Sequence, residues 1–228
     1  MKKSTTLESG QKYLFEIREL GFKTELPYVL LPTKGGLIKI ASLNLVGMIE
    51  WNRRFGQAIA KKIRETVGTI EGIVFFAAVE KSLQLGQAVC QELGIPAMAI
   101  AYNRRKPHME IEYGRKRPFI QVGCGSVTNG DKYLVIYERD VNLLSTAQNG
   151  VIIVDDVIST GGTIAALATI LDEVAERKLL NKNALKILGI YCVAREGEIQ
   201  PLYDGLSKKI HWLGNLPAPQ FLSETPKA

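Results

Sequence analysis

The sequence predicts an α/β protein, a mostly parallel sheet with helices on both faces. Three observations carry this. Strand-like apolar runs alternate with helical patterns along the chain, as in sheets built from parallel crossovers. Val151–Val154 are four consecutive β-branched residues, the composition of a strand buried on both faces. That run ends in Asp155-Asp156, and Ser159-Thr-Gly-Gly-Thr163 then opens a new helical pattern. In open α/β sheets, ligands sit at the carboxyl ends of strands.

Taken in order, residues 1–10 look frayed and residues 11–45 read as irregular, with Pro27, Pro32 and the Gly35-Gly36 turn. Tyr28–Leu31 and Leu37–Ile40 flank that turn as a candidate hairpin. Trp51, Phe55, Ile59, Ile63 and Val67 step by four, an amphipathic helix. Residues 72–79 read as a buried strand. Leu85, Ala88, Val89 and Leu93 mark the next helix, stopped by Gly94 and Pro96. Residues 95–101 read as a strand and 102–118 as a charged loop. Residues 119–137 hold two β-rich stretches around Asn129-Gly130, a hairpin signal. After the acid-tipped strand, Ile164, Leu167, Ala168, Leu171, Val174 and Ala175 define a helix, and residues 185–193 a further strand.

The segment 151–163 is also the richest in chemistry. Gly161 and Gly162 let the backbone approach an anion closely. Ser159, Thr160 and Thr163 add hydroxyl donors, and the following helix N-terminus offers unpaired N–H groups and partial positive charge. Asp155 and Asp156 can accept hydrogen bonds from sugar hydroxyls. A sugar phosphate fits such a site. The chain has no P-loop signature and no Gly-x-Gly-x-x-Gly after a strand.

This segment resembles the phosphoribosyl-pyrophosphate (PRPP) binding motif of the type I phosphoribosyltransferases: an apolar run, two acids, two further residues, then Ser-Thr-Gly-Gly-Thr. The resemblance implies a twisted, mostly parallel sheet flanked by helices, with a small hood over the site. Residues 1–45 are then an N-terminal segment and hood, and 46–228 the core, with a C-terminal contribution to the hood. It also implies a reaction in which a base displaces pyrophosphate from PRPP, with Mg²⁺ bound through PRPP and approached by Asp155 through water.

In that family a loop binding pyrophosphate follows the strand at 72–79. Here it is Val79, Glu80, Lys81 and Ser82, with Lys81 where adenine enzymes commonly carry Arg. Val79 and Ser82 depart from the usual acid and Gly. The run 104–117 holds six basic residues against Glu110 and Glu112. It matches the family's mobile catalytic loop in position, with Arg104, Arg105 and Lys106 as phosphate contacts. Asp155, Asp156, Lys81 and Arg105 are thus the expected catalytic set. Tyr28 and Trp212 are the candidate contacts to the base. Ser159 stands where hypoxanthine–guanine enzymes usually carry Asp. The layout from Leu43 onward is most similar to the adenine/xanthine branch, which implies purine salvage.

Composition narrows the alternatives. Lys and Arg number 29 against 23 Asp and Glu, a net charge of +6, which suits a polyanionic small substrate. No aromatic-studded basic stretch or helix-turn-helix argues for nucleic acid. Cys90, Cys124 and Cys192 lack metal-type spacing, and two His residues argue against a His-based metal site. No apolar run approaches a membrane span, and the start lacks the apolar stretch of a secretory signal. The expectation is a cytoplasmic homodimeric transferase of adenine or xanthine. The alternatives are an orotate-type or other-acceptor enzyme, or a PRPP-sensing regulator without turnover that binds nucleic acid.

Overall fold

The computed structural model describes residues 7–33, 36–112, 114–124, 132–181, 183–198 and 205–222. Two sheets organise them. The first begins with β1 (Leu7–Ile17), β2 (Phe22–Thr33) and β3 (Gly36–Ala41), all antiparallel. The expected hairpin is present, with Tyr28 opposite Ala41 and Leu31 opposite Ile38. The expected irregularity is not. β1 and β2 form a long hairpin turned at Gly21, which adopts φ 56°. Alternation explains it: Phe15, Ile17, Phe22 and Leu26 are buried, while Glu16 and Lys23 face out. Pro27 argues against a central strand, yet it lies in β2 opposite Lys12, where the β1 register shifts.

The second sheet is parallel. Helix α1 (Ile49–Val67) leads into β4 (Ile73–Ala78), α2 (Leu83–Leu93) and β5 (Ala99–Ala101). β5 is shorter than expected because Gly94 caps α2 in the left-handed region and Ile95 N–H turns back to Cys90 O. The charged segment is not a plain loop: it contains α3 (Pro107–Glu110) and the strand pair β6 (Ile111–Glu112) and β7 (Arg115–Lys116). The next hairpin is β8 (Phe119–Cys124) with β9 (Lys132–Tyr137), and its Asn129-Gly130 turn lies outside the described residues. A helix not anticipated, α4 (Glu138–Leu144), follows. Then come the acid-tipped β10 (Gly150–Ile158), α5 (Gly162–Arg177) and β11 (Ile187–Glu196), which starts and ends later than expected. β12 (Ile210–Leu216) was also unanticipated, and β13 (Gln220–Leu222) returns to the first sheet beside β3.

The parallel order is β12-β11-β10-β4-β5, so β10 is central. Its alternate side chains serve two cores. Val151 and Ile153 pack with α5 residues such as Leu167 and Ile170. Ile152 and Val154 pack with α1 and α2 residues such as Phe55, Ile59 and Leu85. A strand with both faces covered has no use for polar side chains until it leaves the core, which is where Asp155 and Asp156 stand. The first sheet is fastened to this frame by aromatic contacts. Phe22 meets Phe55 edge-on with ring centroids 4.9 Å apart, and a Cβ at Gly214 of β12 would lie 2.8 Å from the Phe15 ring.

Candidate functional site

The site starts at the end of β10. Asp155 and Asp156 are each 8% exposed. Asp155 Oδ1 accepts the Asp156 backbone N–H at 2.9 Å. Burial pushes the Asp155 carboxyl well above its usual range, and the neighbouring Asp156 pushes it further. Burial also raises Asp156, against the opposing pull of the Lys81 ammonium. The pair is short of positive charge as it stands.

The turn after it is built for an anion. Gly161 occupies the left-handed region at φ 77° and is the N-cap of α5; no side chain caps this helix. Neither carboxylate therefore acts as a cap, and the first amides of α5 have no partner within the helix. With the Ser159, Thr160 and Thr163 hydroxyls they form a donor-lined turn.

A cavity of about 420 Å³ lies over it, lined on one side by Asp155 and residues 159–163. Leu31, Ile38 and Ile40 of the first sheet and Phe221 of β13 form an apolar wall on the other. The sequence reading missed four further lining residues with ionisable side chains: Glu196, Glu198, Cys124 and Lys132. Glu196 is only 8% exposed. Burial raises its carboxyl, while a hydrogen bond from Ser159 and the charge of Lys81 oppose the rise. Glu196 ends β11, the strand adjacent to β10, but Arg195 separates it from the apolar run, so it lacks the run-then-acid signal that singled out Asp155.

Val79, Glu80, Lys81 and Ser82 follow β4 and do not line this cavity. The Val79–Glu80 peptide is cis, Val79 N–H bonds Ala101 O at 2.8 Å, and the buried Ser82 hydroxyl donates to Ala78 O. Lys81 is exposed, and its charge reaches all three acids, Asp155, Asp156 and Glu196.

The structure does not bring the other expected residues to the cavity. Arg104, Arg105 and Lys106 are absent from its lining. Arg105 Nε bonds Glu110 Oε1 at 2.8 Å, its Nη2 bonds the second oxygen, and its guanidinium lies 4.5 Å over the Phe119 ring. Lys106 N–H donates to the Tyr137 hydroxyl. Phe119 and Tyr137 pair at one end of the β8–β9 hairpin and Cys124 and Lys132 at the other. The basic segment docks at the first end; the cavity lies at the second. Tyr28 and Trp212 are also outside the lining. Tyr28 packs edge-on to Tyr13 beneath Lys39, and Trp212 lies 4.5 Å from the Arg195 guanidinium. Both are occupied in packing, because β12 and this part of β2 face the core rather than the wall.

Among the described residues no group of three or more His, Cys, Asp or Glu could hold a metal ion. The acid pair still suits a hydrated divalent cation carried by a polyphosphate, since Mg²⁺ is usually held by one or two carboxylates plus substrate phosphates.

The chain shares its fold with adenine phosphoribosyltransferase from Thermoanaerobacter pseudethanolicus, at TM-score 0.52 and 16% identity over 78% of this chain and 88% of that one. Adenine phosphoribosyltransferase from Leishmania tarentolae is similar at TM-score 0.49 and 11% identity, over 76% of this chain and 73% of that one. The Trypanosoma brucei enzyme, solved with AMP, pyrophosphate and ribose-5-phosphate, is similar at TM-score 0.46 and 15% identity, over 72% of this chain and 60% of that one. A sequence comparison with curated proteins returns no match. The family model described as a phosphoribosyl transferase domain matches residues 46–199, about two thirds of the chain. That span holds the sheet from β4 to β11 with its acid pair and turn, and it places the chain in the phosphoribosyltransferase family of glycosyl-transferring enzymes.

Proposed function

We propose that the protein transfers ribose 5-phosphate from PRPP to a purine base, with adenine favoured and xanthine next, and releases pyrophosphate. The observation that carries this is the buried Asp155–Asp156 pair beside an uncapped, hydroxyl-rich turn, within reach of the Lys81 charge. The 5-phosphate takes the amides and hydroxyls of 159–163. Asp155 and Asp156 accept bonds from the ribose 2- and 3-hydroxyls and face the positive charge that develops on the ring as the leaving group departs. Lys81, with the loop 79–82, stabilises the leaving pyrophosphate. Asp155 and Asp156 would hold a Mg²⁺ ion carried in with the pyrophosphate, which would supply Lewis-acid charge neutralisation.

Arg104, Arg105 and Lys106 belong to this reading in a closed state only. Arg105 reaches a phosphate once it has left Glu110 and Phe119. The acceptor lies against Leu31, Ile38, Ile40 and Phe221. An apolar wall suits the face of a purine. Glu196 and Glu198 on the same cavity can accept hydrogen bonds and so favour a base bearing an exocyclic amine, adenine over xanthine. No described helix is long and apolar enough to cross a membrane. The cytoplasmic, homodimeric setting expected from the family is part of this proposal.

Pyrophosphate release from PRPP and Mg²⁺, measured against adenine, xanthine, hypoxanthine, guanine, orotate and uracil, tests it. Release with adenine or xanthine supports the reading. Release with orotate alone reassigns the acceptor. PRPP binding without release for any base replaces the transferase with a PRPP sensor.

A further inference from the structure

Lys132 was not visible as a site residue in the sequence, and the fold brings it to the phosphate turn. It opens β9 and pairs across the hairpin with Cys124, the last residue of β8. Both line the cavity beside residues 159–163. A hydrogen bond with Thr163 reaches the Cys124 side chain, and Lys132 lies close enough for its charge to act on that thiol. The hairpin end thus lies beside the first turn of α5, and brings Lys132 to it.

Charge gives this placement a purpose. Among the described residues lining the cavity, Lys132 is the one cation; the others that carry charge are Asp155, Glu196 and Glu198. A phosphate monoester brings roughly two negative charges at neutral pH. The turn offers it amides, hydroxyls and the partial charge of a helix end, worth about half an elementary charge. Lys81 serves the acid end, where it acts on Asp155, Asp156 and Glu196. The basic run 104–106 is docked elsewhere, on Glu110, Phe119 and Tyr137.

We propose that Lys132 is a substrate-binding residue that neutralises the phosphate monoester in the turn 159–163, so that the two anionic ends of the substrate have separate lysines, Lys132 and Lys81. The inference rests on the PRPP reading of the cavity. It also makes the β8–β9 hairpin, rather than the basic segment before it, the element that supplies a cation to this end of the site.

Titration calorimetry with ribose 5-phosphate and, separately, with Mg²⁺-pyrophosphate distinguishes the lysines. Lys132→Met should weaken ribose 5-phosphate about 10- to 100-fold, the usual worth of a charge-assisted hydrogen bond. Pyrophosphate affinity should stay within about twofold, and Lys132→Arg should restore most of the loss. The melting temperature of each variant, read alongside, checks that the hairpin is intact, and the retained pyrophosphate binding checks the rest of the site. Ribose 5-phosphate affinity that is unchanged in Lys132→Met, or lost together with pyrophosphate affinity, overturns the inference alone. A wild-type protein that binds pyrophosphate but has no affinity for ribose 5-phosphate overturns the phosphate-turn reading beneath it as well.

Discussion

The Asp155 carboxylate accepts the backbone N–H of Asp156 at 2.9 Å, so the two acids share one buried corner at the end of β10. Two adjacent carboxylates out of water repel each other; the Lys81 charge opposes this, and the Val157 backbone N–H bonds Asp156. Such a corner is uncomfortable without a ligand; on the proposed reading, sugar hydroxyls and a hydrated cation would relieve it. Stability and function therefore pull in opposite directions here.

Asp155→Asn keeps the acceptor for the Asp156 amide and removes the charge. Folding raises the Asp155 carboxyl above its ordinary value of 3.8. Its contribution to stability is therefore fully present below 3.8 and is lost as pH rises through the raised value of the folded state. At pH 7 the ligand-free variant should be more stable than wild type by about 0.5–2 kcal/mol, a few degrees in Tm. Well below pH 3.8, where Asp155 is protonated in both states, the gap should close. Scanning calorimetry against pH reads this directly, and a lower Tm for the variant at neutral pH would count against it.

Lys81→Ala should cost turnover and spare the fold. The side chain is exposed, and its charge acts on the acids of the site. Loss of a group that stabilises leaving-group charge lowers kcat by about 100-fold or more. Lys81 holds Asp156 and Glu196 down, so without it both ionise at higher pH. The acid limb of the pH–rate profile should move upward. An unchanged rate would make Lys81 a solvated loop residue with no part in turnover.

Glu110→Gln loosens the tether on Arg105. Glu110 Oε1 accepts from Arg105 Nε at 2.8 Å, and the same guanidinium covers Phe119. If the basic segment must leave this position to meet pyrophosphate, the variant should lower KM for PRPP by up to about fivefold, the range expected of a partly exposed ion pair. Steady-state kinetics at two salt concentrations checks it, since salt should narrow the difference.

Phe221→Ala addresses the acceptor side. Phe221 sits opposite Ile38 in the β3–β13 pair and lines the cavity. Loss of one aromatic face should raise KM for the base about three- to tenfold and leave that for PRPP alone. A change confined to PRPP would place the acceptor elsewhere.

Gly214→Ala tests how the two sheets are joined. The new Cβ would fall 2.8 Å from the Phe15 ring and 3.0 Å from Ile17. Overpacking of this kind costs about 1–3 kcal/mol. Thermal melting should fall by several degrees, with the parallel sheet otherwise unaltered.

What the sequence revealed follows the range of the interactions involved. The acids and the turn 159–163 are contiguous, so their chemistry and their strand–helix setting were both legible. Glu196 and Lys132 reach the cavity through pairings between segments far apart in the chain: β11 beside β10, and Cys124 beside Lys132. Neither pairing has a local signature. The β1–β2 hairpin was hidden because the exposed Leu14 blurs the alternation of Phe15 and Ile17, and Pro27 and Pro32 read as breaks. The run 104–117 showed the sign of its charge but not its address. Glu110, five residues from Arg105, takes up the guanidinium locally, and Phe119 and Tyr137 fix the segment at the far end of the hairpin.

The central claim is that Asp155 and Asp156 hold the ribose of PRPP. Calorimetric titration of PRPP with Mg²⁺ into wild type and into Asp155→Asn/Asp156→Asn tests it most directly. The account predicts binding by the wild type and none by a double variant that melts at or above the wild-type temperature. PRPP affinity undiminished in that folded variant would contradict it.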